Sequence, residues 1–123
     1  MRESILIIDD ETDFCGIMKN YFQKRNYEAQ VAYSIQEGLV LMQELQPDIL
    51  LLDNNLPDGN GWEIVDSVVE LFPQIRIYLI SAHRGLSSYK GGLPNVLVWE
   101  KPISIQVLNT VFGSGLNGYS TNG

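Results

Sequence analysis

The feature that most restricts this chain is a rhythm in which short strand-like runs alternate with segments of helical periodicity. Ile5 to Ile8 and Ile49 to Leu52 are unbroken aliphatic stretches, the pattern of strands buried on both faces. Arg76 to Ile80 and Val96 to Trp99 read as two more strands, and Tyr27 to Tyr33 as a less buried one. After the first strand, Phe14, Ile17, Met18, Tyr21 and Phe22 recur at three- and four-residue spacing. That spacing predicts a helix capped by Thr12 or Asp13, with these five residues on one face. Ser34 and Glu37 make a capping-box pattern ahead of Ile35, Leu39, Met42 and Leu45, and Pro47 ends that helix. A third helix is predicted from about Asn60 to Phe72, closed by Pro73, and a short last one from Ser104 to near Phe112.

The stretch from His83 to Val96 departs from the rhythm, because it holds Gly85, Gly91, Gly92 and Pro94. An interior glycine costs a helix about 1 kcal/mol relative to alanine, and a proline about 3 kcal/mol. The fourth helix is therefore expected to be short or irregular, one or two turns around Leu86 to Lys90. Five strands separated by helices give a parallel sheet covered on both faces. Right-handed crossovers and the chain's size select the flavodoxin-like order 2-1-3-4-5, a doubly wound (βα)5 α/β fold.

Composition narrows the partners. A chain of 123 residues is one domain by size. Residues 1–112 are expected to form it, and 113–123 to be a flexible Gly-, Ser- and Asn-rich tail or linker. Fifteen acidic side chains against eight basic ones leave a net charge of −7, without the basic stripe of a nucleic-acid binder. The single cysteine, Cys15, cannot form an internal disulfide and reads as a buried apolar thiol in a reducing compartment. The opening "MRESILIIDD" has too short an apolar stretch for a signal peptide, and no run reaches the roughly 18 residues of a membrane span. A cytoplasmic setting is expected, with neither membrane nor direct nucleic-acid contact.

In a doubly wound sheet, ligands sit at the carboxyl ends of the strands, at the switch point between strands 1 and 3. Those ends carry Asp9 and Asp10, Asp53, Ser81 and Lys101. Each has an ordinary reading alone: turn or cap residues for the acids, a strand-ending serine, a solvated lysine. Together on one edge they are harder to assign to chance. Neighbouring strands lie less than about 5 Å apart, so three carboxylates crowd one crevice. Two like charges at about 4 Å repel by about 4 kcal/mol at an effective dielectric of about 20. Such a group invites either protonation or a cation, and a hard divalent ion such as Mg²⁺ suits oxygen ligands. Lys101 adds a point charge for a phosphoryl oxygen, and Ser81 a hydroxyl donor.

Four segments, "ILIIDDE", "DILLLDNNLPDGNGWEI", "LISA" and "EKP", occur in the order found in the receiver domain of bacterial two-component response regulators. The chain resembles that family over about residues 4 to 112. The resemblance implies that Asp53 is the phosphoacceptor, attacking the phosphohistidine of a sensor histidine kinase or phosphotransfer protein. It implies that Asp10 ligates Mg²⁺ directly, Asp9 mainly through water, and Asn55 through its backbone carbonyl. Lys101 would bind a phosphoryl oxygen, Ser81 would close on the phosphate, and Lys101–Pro102 would be cis. His83 lies where the resembling family tunes dephosphorylation, a place a solvated loop histidine could equally occupy. The family usually places an aromatic three residues before the lysine, where this chain has Val98. Trp99 comes one position later and so faces the other side of the strand, as a core or surface tryptophan.

The expected function is a phosphorylation-dependent signalling module, not a classical enzyme, whose state changes the binding of an output partner. The weak fourth helix predicts an altered or mobile output surface. After Phe112 there is no DNA-binding segment, so the chain is expected to be a stand-alone receiver or one cut from a longer regulator at its linker. A degenerate receiver acting without phosphorylation is a competing reading, against which the intact acids, serine and lysine speak. A Mg²⁺-dependent phosphohydrolase would need a second acid two residues after the nucleophile, where Asn55 stands, and a cap. A flavin-binding flavodoxin fits less well, because "DDETD" would repel a phosphate without a metal.

Overall fold

The protein's structure, a computed structural model, describes residues 2–81 and 95–113. The expectations for the fourth helix, for His83 and for the tail beyond Gly113 lie outside those residues. The aliphatic runs become strands because β-branched and leucine side chains fill both faces of a pleated sheet. They are β1 (Ser4–Ile8), β2 (Glu28–Ala32) and β3 (Ile49–Asp53). Next come β4 (Asn55–Leu56) and β5 (Gly59–Asn60), a small antiparallel hairpin that the sequence pattern did not suggest. Then follow β6 (Arg76–Ser81) and β7 (Val96–Glu100). The main sheet is parallel throughout, in the order β2-β1-β3-β6-β7. With the hairpin set aside, that is the predicted order 2-1-3-4-5.

Side chains alternate across the strands and build two cores. Ile5, Ile7, Ile49, Leu51, Tyr78 and Ile80 face α1 (Thr12–Lys24) and the C-terminal helical segment, meeting Met18, Phe22, Leu108 and Phe112. That last segment is α4 (Ile105–Leu108), continued by a wide turn through Asn109–Gly113. Leu6, Ile8, Leu50, Leu52, Ile77 and Leu79 face α2 (Ile35–Leu45) and α3 (Val65–Leu71), meeting Met42, Val65 and Val68. Each such aliphatic side chain contributes about 1.5–3 kcal/mol by leaving water.

Several local expectations need correction. Helix α1 starts at Thr12 with Glu11 in the N-cap position and no side-chain cap, so neither Thr12 nor Asp13 caps it. Its buried face is Cys15, Met18, Tyr21 and Phe22, whereas Ile17 is 58% exposed. The apolar positions of this helix spread over a wide arc, and the sheet covers the side centred on Met18, leaving Ile17 on the outer flank. In α2 the buried residues are Ile35, Gly38 and Met42, while Leu39 and Leu45 are 38% and 39% exposed. Gly38 offers no side chain to the apolar pattern, yet it lets Ile8 pack against the helix backbone. Ser34 accepts the Glu37 N–H at 3.1 Å, and the Glu37 carboxylate accepts from Tyr33 rather than from Ser34 itself. The predicted helix from Asn60 instead begins as a tight turn, Gly61–Ile64, before α3 takes over. Ser104 caps α4 as predicted, accepting the Val107 N–H at 3.1 Å.

Candidate functional site

Strands β1 and β3 are hydrogen-bonded neighbours, with Ile8 opposite Leu52, so Asp9 and Asp53 emerge side by side at their carboxyl ends. Asp10 follows in the β1–α1 loop. Among the described residues, Asp9, Asp10 and Asp53 can bring one carboxylate oxygen each within 4.8 Å of one another. Asp9 and Asp53 are buried, and Asp10 is exposed. The last strand supplies the cation. Ser81 ends β6 opposite Glu100, and the Lys101 N–H donates to the Ser81 carbonyl at 2.8 Å. That bond extends the β6–β7 ladder to Lys101 at the carboxyl edge of the sheet. Its Nζ lies 2.8 Å from Asp9 Oδ2 and 3.8 Å from Asp53 Oδ1. Lys101–Pro102 is cis, as the resemblance implied.

The electrostatics follow from this crowding. Burial, then the Asp9 charge beside it, pushes the Asp53 carboxyl up to about 7; Lys101 and the Asn55 backbone amide pull the other way. Burial by itself would lower the Lys101 ammonium, but hydrogen bonds to Asp9 and Glu11 outweigh it and raise the group to about 12. Burial and the Asp9 charge also push the Cys15 thiol up to about 12. The Cys15 thiol donates to the Asp9 carbonyl at 3.1 Å and is an inert buried group, as its apolar setting predicts.

Three residues whose part in the site the sequence reading did not foresee complete the setting. Glu11 Oε1 sits 2.6 Å from Lys101 Nζ, and the Glu11 N–H donates to Asp9 Oδ1 at 2.8 Å. The Phe14 ring lies under the Lys101 ammonium, 4.4 Å from Nζ to the ring centroid. Asn54 is buried behind Asp53: its N–H donates to Ile80, its carbonyl accepts from Gly61, and its Oδ1 accepts from Trp62 at 3.0 Å. It clamps the strand end between β6 and the turn that opens α3. A side chain on Gly61 would run into the Asp53 carbonyl, which is why the chain is glycine there. Glu11 was visible as the third acid of "DDE", but its partner lies 90 residues away. Asn55 pairs with Asn60 in the β4–β5 hairpin, directly after the site.

Mg²⁺ holds its ligands at about 2.1 Å in an octahedron, which sets ligand oxygens roughly 3 to 4.2 Å apart. Three carboxylates already within 4.8 Å need only small side-chain adjustments to meet that geometry. The all-oxygen donor set also fits a hard cation. Trp99 is half-buried on the α1 side of the sheet, its ring 4.7 Å from that of Tyr78 and tilted to it by 37°, and near Phe112. Val98, on the opposite face, is 47% exposed. No helix among the described residues is long and apolar enough to cross a membrane.

The site thus combines three carboxylates, a serine and a lysine on one edge of a doubly wound α/β sheet. The chain belongs to the response regulator receiver domain family, whose model matches residues 5–110. It is 27% identical over 85 residues to the photosynthetic apparatus regulatory protein RegA of Rhodobacter capsulatus, covering 69% of this chain and 46% of that protein. It is 29% identical over 83 residues to the sporulation initiation phosphotransferase F of Bacillus subtilis, covering 68% and 67%. A CheY-like response regulator receiver domain protein from Methanospirillum hungatei shares the fold with a TM-score of 0.83 at 23% identity, over 100% of both chains. The chain spans less than half the length of the RegA proteins it matches.

Proposed function

We propose that this receiver domain is a phosphorylation-dependent signalling module of a two-component or phosphorelay system, with Asp53 as phosphoacceptor. The observation that carries the reading is the placement of the Asp53 carboxylate: buried, beside Asp9 and Asp10, and 3.8 Å from Lys101. An Asp53 oxygen attacks the phosphorus of a phosphohistidine on a histidine kinase or phosphotransfer protein. The P–N bond breaks, its electron pair leaves with the imidazole nitrogen, and an acyl phosphate forms. Phosphoryl transfer depends mainly on positioning and charge stabilisation, which a fixed carboxylate and a nearby lysine supply. Lys101 takes a phosphoryl oxygen, and the Ser81 hydroxyl closes on another. Asp9, Asp10, Asp53 and the Asn55 carbonyl would hold Mg²⁺. When bound, that ion supplies the positive charge that keeps the carboxylates ionised and offsets charge on the phosphoryl oxygens.

The domain acts in the cytoplasm as a switch rather than as a classical enzyme, and residues 113–123 serve as a tail or linker. Similarity to a protein named as a phosphotransferase supports the phosphoryl reading. The test is incubation with Mg²⁺ and acetyl phosphate followed by intact mass. One added phosphoryl group, absent in Asp53→Asn, is expected. Failure to take up even beryllofluoride would identify a degenerate receiver, and turnover of a generic phosphate ester a hydrolase.

A further inference from the structure

Lys101 has three N–H donors, and two are committed to carboxylates: Asp9 Oδ2 at 2.8 Å and Glu11 Oε1 at 2.6 Å. At 3.8 Å its distance to Asp53 is too long for a hydrogen bond. The lysine therefore points at the phosphoacceptor while held by other groups. One N–H is left for a phosphoryl oxygen, which must compete with both carboxylates for the charge of the ammonium.

The two holders differ in how easily they yield. Asp9 is 1% exposed, and its other oxygen is fixed by the Glu11 N–H. The Glu11 side chain is 62% exposed and has only Lys101 as an ion-pair partner among the described residues. Its carboxylate can swing into water at small cost, which the Asp9 carboxylate cannot.

We propose that Glu11 is a positioning residue, an electrostatic latch that holds Lys101 away from Asp53 and competes with the phosphoryl group for the ammonium. The inference rests on the phosphoacceptor reading above and adds a residue that sets the affinity of that site. The latch yields when a phosphoryl group offers Lys101 a better acceptor. Its strength sets how strongly the empty site resists occupation. Asp13, on the same turn and exposed, carries the same charge but makes no hydrogen bond or ion pair with Lys101, so it is the natural control.

The test compares wild type, Glu11→Gln and Asp13→Asn as full chains with two readouts. In metal-free protein, amine acylation followed by peptide mass spectrometry reports how accessible Lys101 is relative to the other lysines. With Mg²⁺, calorimetric titration with beryllofluoride reports the affinity of a phosphoryl mimic. Glu11→Gln is expected to label faster at Lys101 and to bind beryllofluoride roughly two- to fivefold more tightly, the range of one partly exposed ion pair. Asp13→Asn should change neither readout by as much. Unchanged labelling in Glu11→Gln, or an equal gain in Asp13→Asn, overturns the latch. Faster labelling with unchanged beryllofluoride affinity overturns the competition. If wild type itself binds no beryllofluoride, the phosphoacceptor reading falls and takes the competition with it; a failure of the latch alone leaves wild-type binding intact.

Discussion

The centre and the edge of the main sheet do different work. In β1 and β3 every aliphatic side chain from Ile5 to Ile8 and from Ile49 to Leu52 is at most 1% exposed. In β7, at the edge, Leu97 and Val98 are 52% and 47% exposed. The acids of the site stand on the first region, whereas Lys101 follows the second. The carboxylates are thus held by the most tightly packed part of the molecule, and their counter-charge comes from the least packed strand. A site assembled across such a boundary can keep its carboxylates fixed and let its cation move.

Substitutions can break this contrast directly. Leu51→Ala should cost about 3–5 kcal/mol in urea unfolding, as for a large core side chain replaced by a cavity, and Val98→Ala less than about 1 kcal/mol. Comparable losses at both positions would mean that centre and edge are equally packed in solution. A second effect, smaller and dependent on pH, concerns the acid at the centre. In metal-free protein the fold holds the Asp53 proton up to about pH 7, whereas the unfolded chain releases it near 3.8. Between those values the folded form binds more protons, so stability falls as pH rises. Asp53→Asn should therefore raise the melting temperature at pH 8, by the equivalent of about 1 kcal/mol or more, and hardly at all at pH 4. An equal gain at both pH values, measured in chelator, would remove the buried charge as the cause. Smallest is the cap on the α2 side: Ser34→Ala should cost about 1 kcal/mol by thermal unfolding, with no change in the pH profile.

Much of this was legible in the sequence, for reasons that particular residues make clear. Ile49 to Leu52 could be read because an unbroken aliphatic run leaves a buried parallel strand as its simplest use. Asp9, Asp10, Asp53, Ser81 and Lys101 could be placed because strand ends in a parallel sheet share one edge. The hairpin at Asn55 to Asn60 could not, since two-residue strands leave no periodicity. Ile17 was misplaced because helical spacing names a broad apolar arc, and only the sheet decides which part of it is covered. Glu11 and Asn54 were missed for a different reason. Their roles depend on Lys101, Ile80 and Trp62, partners that only the folded chain brings to them.

The two tryptophans of the chain sit on opposite sides of the sheet, Trp62 against the core under α2 and α3 and Trp99 against the core under α1. Each layer thus carries its own intrinsic fluorophore. Trp62 is tied to the Asp53 strand through Asn54, and Trp99 lies two residues before the lysine. Replacing one tryptophan with phenylalanine leaves emission from a single layer. The pair of variants would then separate, without any added label, the response of the Asp53 side of the pocket from that of the lysine side.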